Sequence, residues 1–430
     1  MEFGLGQAGD ESVQIFHRLN IAAAPASRKR NAHEKSCVSC TCSVRALSCR
    51  WDEAGSGEHR TATVRLIPTR CLPIRPAEVH IGWRLGAGGH ARVDLADRRP
   101  ITEDLMLLLF AAAIAVATPA ELQAALKTAR GGDVILLKPG RYGTVVLNDA
   151  RYDTMVTIRS ADPRRRAFFT RLVLNNPQNL TLSRIEVSYA PKPGEGNSQV
   201  MIRVNNGSNV TLDNLYVHGV IDGNVAGDAS GVAAYGVQGF RVINSRFVEI
   251  NAGIKTDRGG NVLIDNNDIG FIGSDAIEIP GSDGITISGN KLHDFRTNPG
   301  IHPDGIQCWT TREASGCKNV RILRNQILGS PGHEPQGVFF GDEDRVGGYE
   351  NIEISGNRFF MTMWHAINIY SGPKNVVIRS NEVIAGPNFT PWIRVDAPAA
   401  VKDNVAPAYY INSKKSMRPA GNRIGGQFRK

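Results

Sequence analysis

VLIDNNDI at residues 262–269, ITISGNKL at 285–292, VRILRNQI at 320–327, IEISGNRF at 352–359 and VVIRSNEV at 376–383 repeat one pattern five times. Each reads aliphatic, any, aliphatic, two polar, Asn, any, apolar. Val262, Ile264, Asn267 and Ile269 therefore correspond to Ile285, Ile287, Asn290 and Leu292, and so on down the chain. Weaker copies begin at Leu180, Val210 and Phe240, so successive starts lie 22 to 35 residues apart. That spacing is too irregular for a helical solenoid and suits stacked β coils. Within each copy apolar and polar positions alternate with period two, as in a strand with one face inward. The Asn stands where the chain must turn. Its short amide tolerates a left-handed backbone and bonds locally, and identical amides on coils about 4.8 Å apart predict a ladder.

A second series keeps step with the first. Gly231-Val232, Gly253-Ile254, Ala276-Ile277, Gly305-Ile306, Gly337-Val338 and Ala366-Ile367 each put a small residue before a branched one, at spacings of 22, 23, 29, 32 and 29. An α/β protein would need helical segments of ten or more residues between such strands, and none is visible between residues 179 and 395. The predicted fold is all-β: a right-handed, single-stranded parallel β-helix.

Composition divides the 430 residues unevenly. Residues 1–105 hold 15 Lys and Arg, 12 Asp and Glu and five of the seven cysteines, and show no sustained period. They are read as an over-extended upstream segment, and Cys37, Cys40, Cys42 and Cys49 lack the second pair that a zinc site needs. LLLFAAAIAVA at 107–117 is too short to span a bilayer; with Ala115-Val116-Ala117 as a cleavage site, residues 106–117 are expected to be the hydrophobic region of a secretory signal. The β-helix is expected over 118–400 and a basic tail over 401–430. From Thr118 onward there are 35 basic and 29 acidic groups, and residues 402–430 supply the whole surplus with seven basic and one acidic. A near-neutral body gives no reason to expect a nucleic-acid partner. Cys308 and Cys317, nine residues apart, fit either a disulfide or two free thiols.

Thr118-Pro119-Ala120-Glu121 is a capping box with proline at the first helical position, followed by an apolar stripe of Leu122, Ala125, Leu126 and Ala129. Such a helix would cover the open end of the first coil. It runs into Gly132-Asp133-Val134-Ile135-Leu136-Leu137-Lys138-Pro139-Gly140-Arg141-Tyr142. A helix followed by this strand and Pro-Gly turn resembles the start of pectate-lyase-like β-helix proteins, alginate lyases and chondroitinase B among them. The resemblance covers residues 118 to about 400. It implies an exported, periplasmic or extracellular bacterial protein acting as a monomer on a polysaccharide, with no transmembrane segment.

The second strand series turns two columns of side chains outward. The first reads Ala233, Lys255, Glu278, Gln307, Phe339, Asn368 and Arg394; the next reads Tyr235, Asp257, Pro280, Trp309, Gly341, Tyr370 and Asp396. Polar groups flanked by aromatics suit a sugar chain, whose hydroxyls need hydrogen bonds and whose ring faces stack on Trp and Tyr. A merely solvated face is the competing reading. The densest constellation is His302-Pro303-Asp304-Gly305-Ile306-Gln307, with Asp275 and His365 at the position of Asp304 in other coils. Asp275 is read as a turn acceptor. His302-Pro303-Asp304-Gly305 is faintly similar to the Asn-Thr-Asp-Gly element of polygalacturonases, without that family's other motifs.

The resemblance implies, first of all, a polysaccharide lyase on an acidic, uronate-containing chain. Lys255 or Arg394 would neutralise the substrate carboxylate, His302 or His365 would remove the proton, and Tyr370 would protonate the departing oxygen. Glu278, Gln307, Trp309, Asn368 and Asp257 would bind substrate. A hydrolase would instead use Asp304 with Glu278 or Asp257. A C5-epimerase, or a non-catalytic glycan-binding or structural rod, stands beside these, since fold alone does not confer function. No metal ligand set is complete. Calcium is the one cofactor considered, at Gly341-Asp342-Glu343-Asp344, against a solvated turn as the bland alternative.

Overall fold

The computed structural model describes residues 113–195, 199–297, 302–310, 312, 316–360, 362–416 and 420–427, and the backbone of four strands nearer the N-terminus. Those four, Ser43–Asp52, His59–Thr69, Ala77–Leu85 and Ala91–Leu95, form an antiparallel meander in sequence order. Residues 1–105 therefore carry a sheet where the sequence showed no sustained period; the alternation of Val79, Ile81, Trp83 and Leu85 is confined to one strand of nine residues. Cys37, Cys40, Cys42 and residues 106–112 of the apolar run lie outside the described residues.

The second unit, Leu108–Lys430, is the β-helix. One coil shows the construction. Gly260–Asp265 lies in the first sheet, Asn266 and Asn267 turn the chain, Asp268–Ile272 lies in a second sheet and Ile277–Glu278 in a third. Asp283–Ser288 then returns to the first sheet, parallel to Gly260–Asp265. The register keeps like residues stacked: Val262, Ile285, Val320, Ile352 and Val376 pair in succession. In the third sheet Ile254, Ile277, Ile306, Val338, Ile367 and Ile393 do the same. All of these are buried, so the core is one apolar column enclosed by three parallel sheets.

The Asn ladder is present and buried at the first turn. The amide of Asn325 donates to the Ile287 carbonyl and to Asn357 Oδ1, each step near 2.9 Å, and its own Oδ1 accepts from Asn290. The same steps link Asn267, Asn290, Asn325, Asn357, Asn381, Asn404 and Asn422. The left-handed residue, however, is the one before the ladder Asn: Asn266, Gly289, Arg324, Gly356 and Ser380 have φ between 53° and 67°. The Asn satisfies the turn's backbone while its neighbour makes the bend. The small residues of the third sheet also have a steric cause. A Cβ on Gly253 would lie 2.1 Å from the Ala276 carbonyl oxygen, and one on Gly337 2.2 Å from that of Ala366.

Both ends differ from expectation. The helix Pro119–Thr128 is capped by Thr118, whose hydroxyl accepts from Glu121 N while Glu121 accepts from Ala117 N, and it buries Leu122 and Ala125. Yet Ala113–Val116, inside the stretch read as a signal, pairs with Val134–Leu137 as the outermost strand of the first sheet. At the other end the coils continue past residue 400. Ala400–Lys402, Val405–Ala406, Ala408–Ile411 and Arg423–Ile424 extend the sheets, and Asn404 and Asn422 extend the ladder. Ala399-x-Val401-x-x-Asn404-x-Ala406 is a sixth copy of the pattern, concealed because alanines replace the branched residues.

Candidate active site on the third sheet

The outward columns stack in the register that the alternation predicts, but Asn368, expected to bind substrate, is covered by its neighbours and does not reach solvent. Lys255 pairs with Glu278, Glu278 with Gln307, Gln307 with Phe339, Phe339 with Asn368 and Asn368 with Arg394, each on the next coil. Lys255 Nζ sits 2.9 Å from Glu278 Oε2 and 4.6 Å from the Trp309 ring centroid, so three predicted residues meet in one cluster. Gln307 and Trp309 are half-buried beside it. Asp257 is drawn aside by Arg258, 3.1 Å away, and takes no part in the cluster.

Asp304 does not face solvent. It is fully buried, and neither carboxylate oxygen has a hydrogen-bond partner of good geometry. It cannot touch a substrate directly, which corrects its assignment as a catalytic group. Its backbone N–H donates to Asp275 Oδ1 at 2.7 Å, so Asp275 is the turn acceptor that the sequence suggested. Asp275 is more than that. Burial, then the charge of Glu278, pushes its carboxyl up to about 7. Burial, then Asp275 and Glu278, holds Asp304 well above the usual carboxylate range. Neighbouring carboxyls in a desolvated place cannot both ionise cheaply, so both are pushed upward here. The half-buried Asp275 is the member of the pair that reaches the surface.

A second cluster follows on the next coils. Gln336, which the sequence reading passed over, occupies the position of Asp304 one coil on. Its Oε1 accepts from His365 Nδ1 at 2.8 Å and its Nε2 donates to His302 Nδ1 at 3.0 Å. The amide thus orients both imidazoles and leaves Nε2 of a neutral His365 as an acceptor. Burial, then Arg394 and His302, lowers His365 to about 4, so it is uncharged at neutral pH. Phe339 lies 5.2 Å from its ring and Trp392 5.3 Å, with Tyr370 at 6.4 Å. Arg394 rests over Tyr370 at 4.8 Å and is clamped by both oxygens of Asp396, at 2.9 and 3.0 Å. Asn368, between Phe339 and Arg394, is fully buried with neither amide atom partnered.

Beside this cluster a pocket of about 590 Å³ opens, walled by Phe339, Gly341, Asp342, Arg345, Tyr370 and Asp396. Asp342 anchors its rim. Burial acts against its charge, but Ser371, Thr310 and the Gly347 and Val346 amides together hold its carboxyl below the usual range. No grouping of His, Cys, Asp and Glu that could hold a metal occurs among the described residues, and Asp342 spends its oxygens on the Val346 and Gly347 amides rather than leaving them for calcium. Cys308 and Cys317 form a disulfide beneath Trp309, which joins the third sheet to the start of the next first-sheet strand.

Residues 230–405 match the profile of a family described as "Right handed beta helix region". The match falls within the parallel coils described above, so the second unit has the fold of a right-handed parallel β-helix. No curated protein sequence matches it significantly. Among solved structures it is similar to a GH136 lacto-N-biosidase from Eubacterium ramulus, at 12% identity and a TM-score of 0.48 over 76% of this chain and 68% of that one. It is also similar to the pectate lyase Pel9A, at 13% identity and 0.48 over 74% and 80%. A third is PfbA, a surface adhesin of Streptococcus pneumoniae, at 13% identity and 0.42 over 74% and 92%. These are likenesses of fold. No helix among the described residues is long and apolar enough to cross a membrane.

Proposed function

We propose that the protein is an exported glycan-cleaving enzyme that binds a polysaccharide along the outer face of the third sheet and hydrolyses it. The observation that carries this reading is Asp275. Its carboxyl is pushed up to about 7 on a face lined with Trp309, Gln307 and the Lys255–Glu278 ion pair. A carboxyl raised toward neutrality with a second carboxyl close by is the kind of pairing that acid-assisted glycoside cleavage needs. Asp275 would protonate the glycosidic oxygen, Glu278 would face the anomeric carbon or its attacking water, and Lys255 would hold the Glu278 side chain in place. Asp304 would act from below as a positioning residue, its backbone N–H holding Asp275 Oδ1 and its buried carboxyl keeping the site averse to a second charge.

Lyase chemistry fits less well, because both cations intended for a substrate carboxylate are already engaged, Lys255 by Glu278 and Arg394 by Asp396. One observation favours proton abstraction as a second reading: the unpartnered Nε2 that Gln336 leaves on His365, although an imidazole lowered to about 4 is a weak base. The full chain incubated with neutral and uronate polysaccharides separates the two. New reducing ends without absorbance from an unsaturated uronate would support hydrolysis, and that absorbance would support the lyase. Neither signal on any polymer would leave a glycan-binding rod. The Asp275→Asn variant should lose at least about a hundredfold in turnover while keeping its circular dichroism, since a positioned general acid contributes roughly 10² to 10⁴.

A further inference from the structure

The pocket at the far end of the face lies three to five coils beyond Lys255, its near wall of Phe339 and Gly341 pairing with Gln307 and Trp309 of the Asp275 cluster. Its walls combine two ring faces, Phe339 and Tyr370, with carboxylates and a guanidinium. The charges are mostly spent. Asp396 is neutralised by Arg394, and Asp342 is held by the Thr310 hydroxyl and two backbone amides. Glu343 and Arg345 remain, with no ion pair drawn between described residues at either. With Asp396 cancelled by Arg394, the carboxylates of Asp342 and Glu343 face the one guanidinium of Arg345, a balance that leans negative and disfavours an anionic sugar. Next to the wall, Asn368 buries a complete amide without a partner, between Phe339 and Arg394 in register. A buried amide left unpaired is costly, and Asn368, which lies behind the lining rather than in it, would gain a partner from a ligand that displaced Tyr370.

From the ring faces, the spent charges and the orphaned amide, we infer that this pocket is a subsite for a neutral glycosyl unit. Its ring stacks on Tyr370, its hydroxyls reach Glu343 and Arg345, and Asn368 hydrogen-bonds it once the Tyr370 side chain shifts aside. The inference rests on the reading of this face as glycan-binding, and it departs from the expectation of an acidic chain. Stacking and amide contacts discriminate a neutral hydroxylated ring, because a carboxylate on the ring would meet Glu343 and Asp396.

The test is binding without turnover. The full chain carrying Asp275→Asn is screened against a glycan array holding neutral and uronate oligosaccharides of several linkages, and the best neutral hexasaccharide is then titrated by calorimetry. The expected result is that a neutral hexasaccharide binds and its uronate counterpart binds at least tenfold more weakly. Tyr370→Ala should weaken the neutral ligand by about tenfold or more. Asn368→Leu, which replaces an unpaired amide by an apolar group of similar shape, should also weaken binding while leaving Tm equal or higher. Uronate ligands binding as tightly as neutral ones would overturn the inference. So would the absence of neutral binders, or affinity unchanged in both Tyr370→Ala and Asn368→Leu. Should Tyr370→Ala fail to fold, Tyr370→Phe with Arg345→Ala provides the same readout at the hydroxyl-binding side. Neutral ligands bound without turnover of any polymer by the wild-type chain would sink the hydrolase and leave the subsite standing. Reducing ends released only from a uronate polymer would do the reverse.

Discussion

Asp275 shows how a residue's meaning changes when its neighbours in space are known. In the sequence it precedes Ala-Ile at a turn and invites the local reading that an Asp accepts backbone hydrogen bonds there, as it does from Asp304 N. What makes it chemically distinctive is Glu278 and burial, both delivered by coil stacking. A carboxyl whose folded pKa lies above its unfolded value binds a proton on folding. It therefore lowers stability progressively as pH rises from about 4 to about 7, with the full cost present above that window. The wild-type protein should thus have a higher Tm at pH 5 than at pH 8 from this source. Asp304→Asn, which removes the more deeply buried charge, should raise Tm at pH 8 more than at pH 5, as read by calorimetry. A Tm gain independent of pH would mean that the pair is not the origin. If Asp275 is the acid, activity should fall as pH rises through about 7, and a flat profile to pH 9 would refute that role.

At the scale of the element, each turn is built from two residues with separate tasks. The left-handed residue bends the chain, and the following Asn binds the coils on either side. The recurrence of Asn was legible because it is one residue type at a fixed offset. Which of the two positions carries the positive φ was not, since Asn, Gly, Arg and Ser all serve there and share no pattern. Asn325→Ala should cost about 3 kcal/mol in chemical denaturation, because truncation strands the Ile287 carbonyl and the Asn290 donors in the core. A loss under about 0.5 kcal/mol would show the ladder to be passive. Gly253→Ala should cost about 2 kcal/mol, since the added methyl would lie 2.1 Å from a backbone oxygen that the next coil holds in place. The steric limit comes from the adjacent coil, so the sequence shows only that the position is small.

For the whole molecule, stability is a sum over coils that each touch only their neighbours, and the end coils need covering. The C-terminal coils do this here: Tyr409 is buried and its hydroxyl donates to the Arg423 carbonyl, beyond the point where the repeats fade. A chain ending after Asp396 should melt at lower temperature, in a broader transition, and scatter light on heating, because the strands Lys374–Arg379, Glu382–Ile384 and Trp392–Val395 lose their outer partners and become exposed edges. An unchanged melt would show the last coils to be dispensable. By itself the sequence determined the fold, its three-residue-type grammar of aliphatic, small and Asn positions, the helix cap and the outward columns, because period-two alternation and turn chemistry are local and recur at every coil. Only the tertiary structure decided that Asp304 is buried while Asp275 is presented, that Gln336 orients two histidines, that Asp396 occupies Arg394, and that a pocket with an unpartnered Asn368 beside it closes the face. Those facts depend on which residues from coils 22 to 35 positions apart come to lie one strand spacing from each other, and loop lengths between coils conceal that register until the chain is stacked.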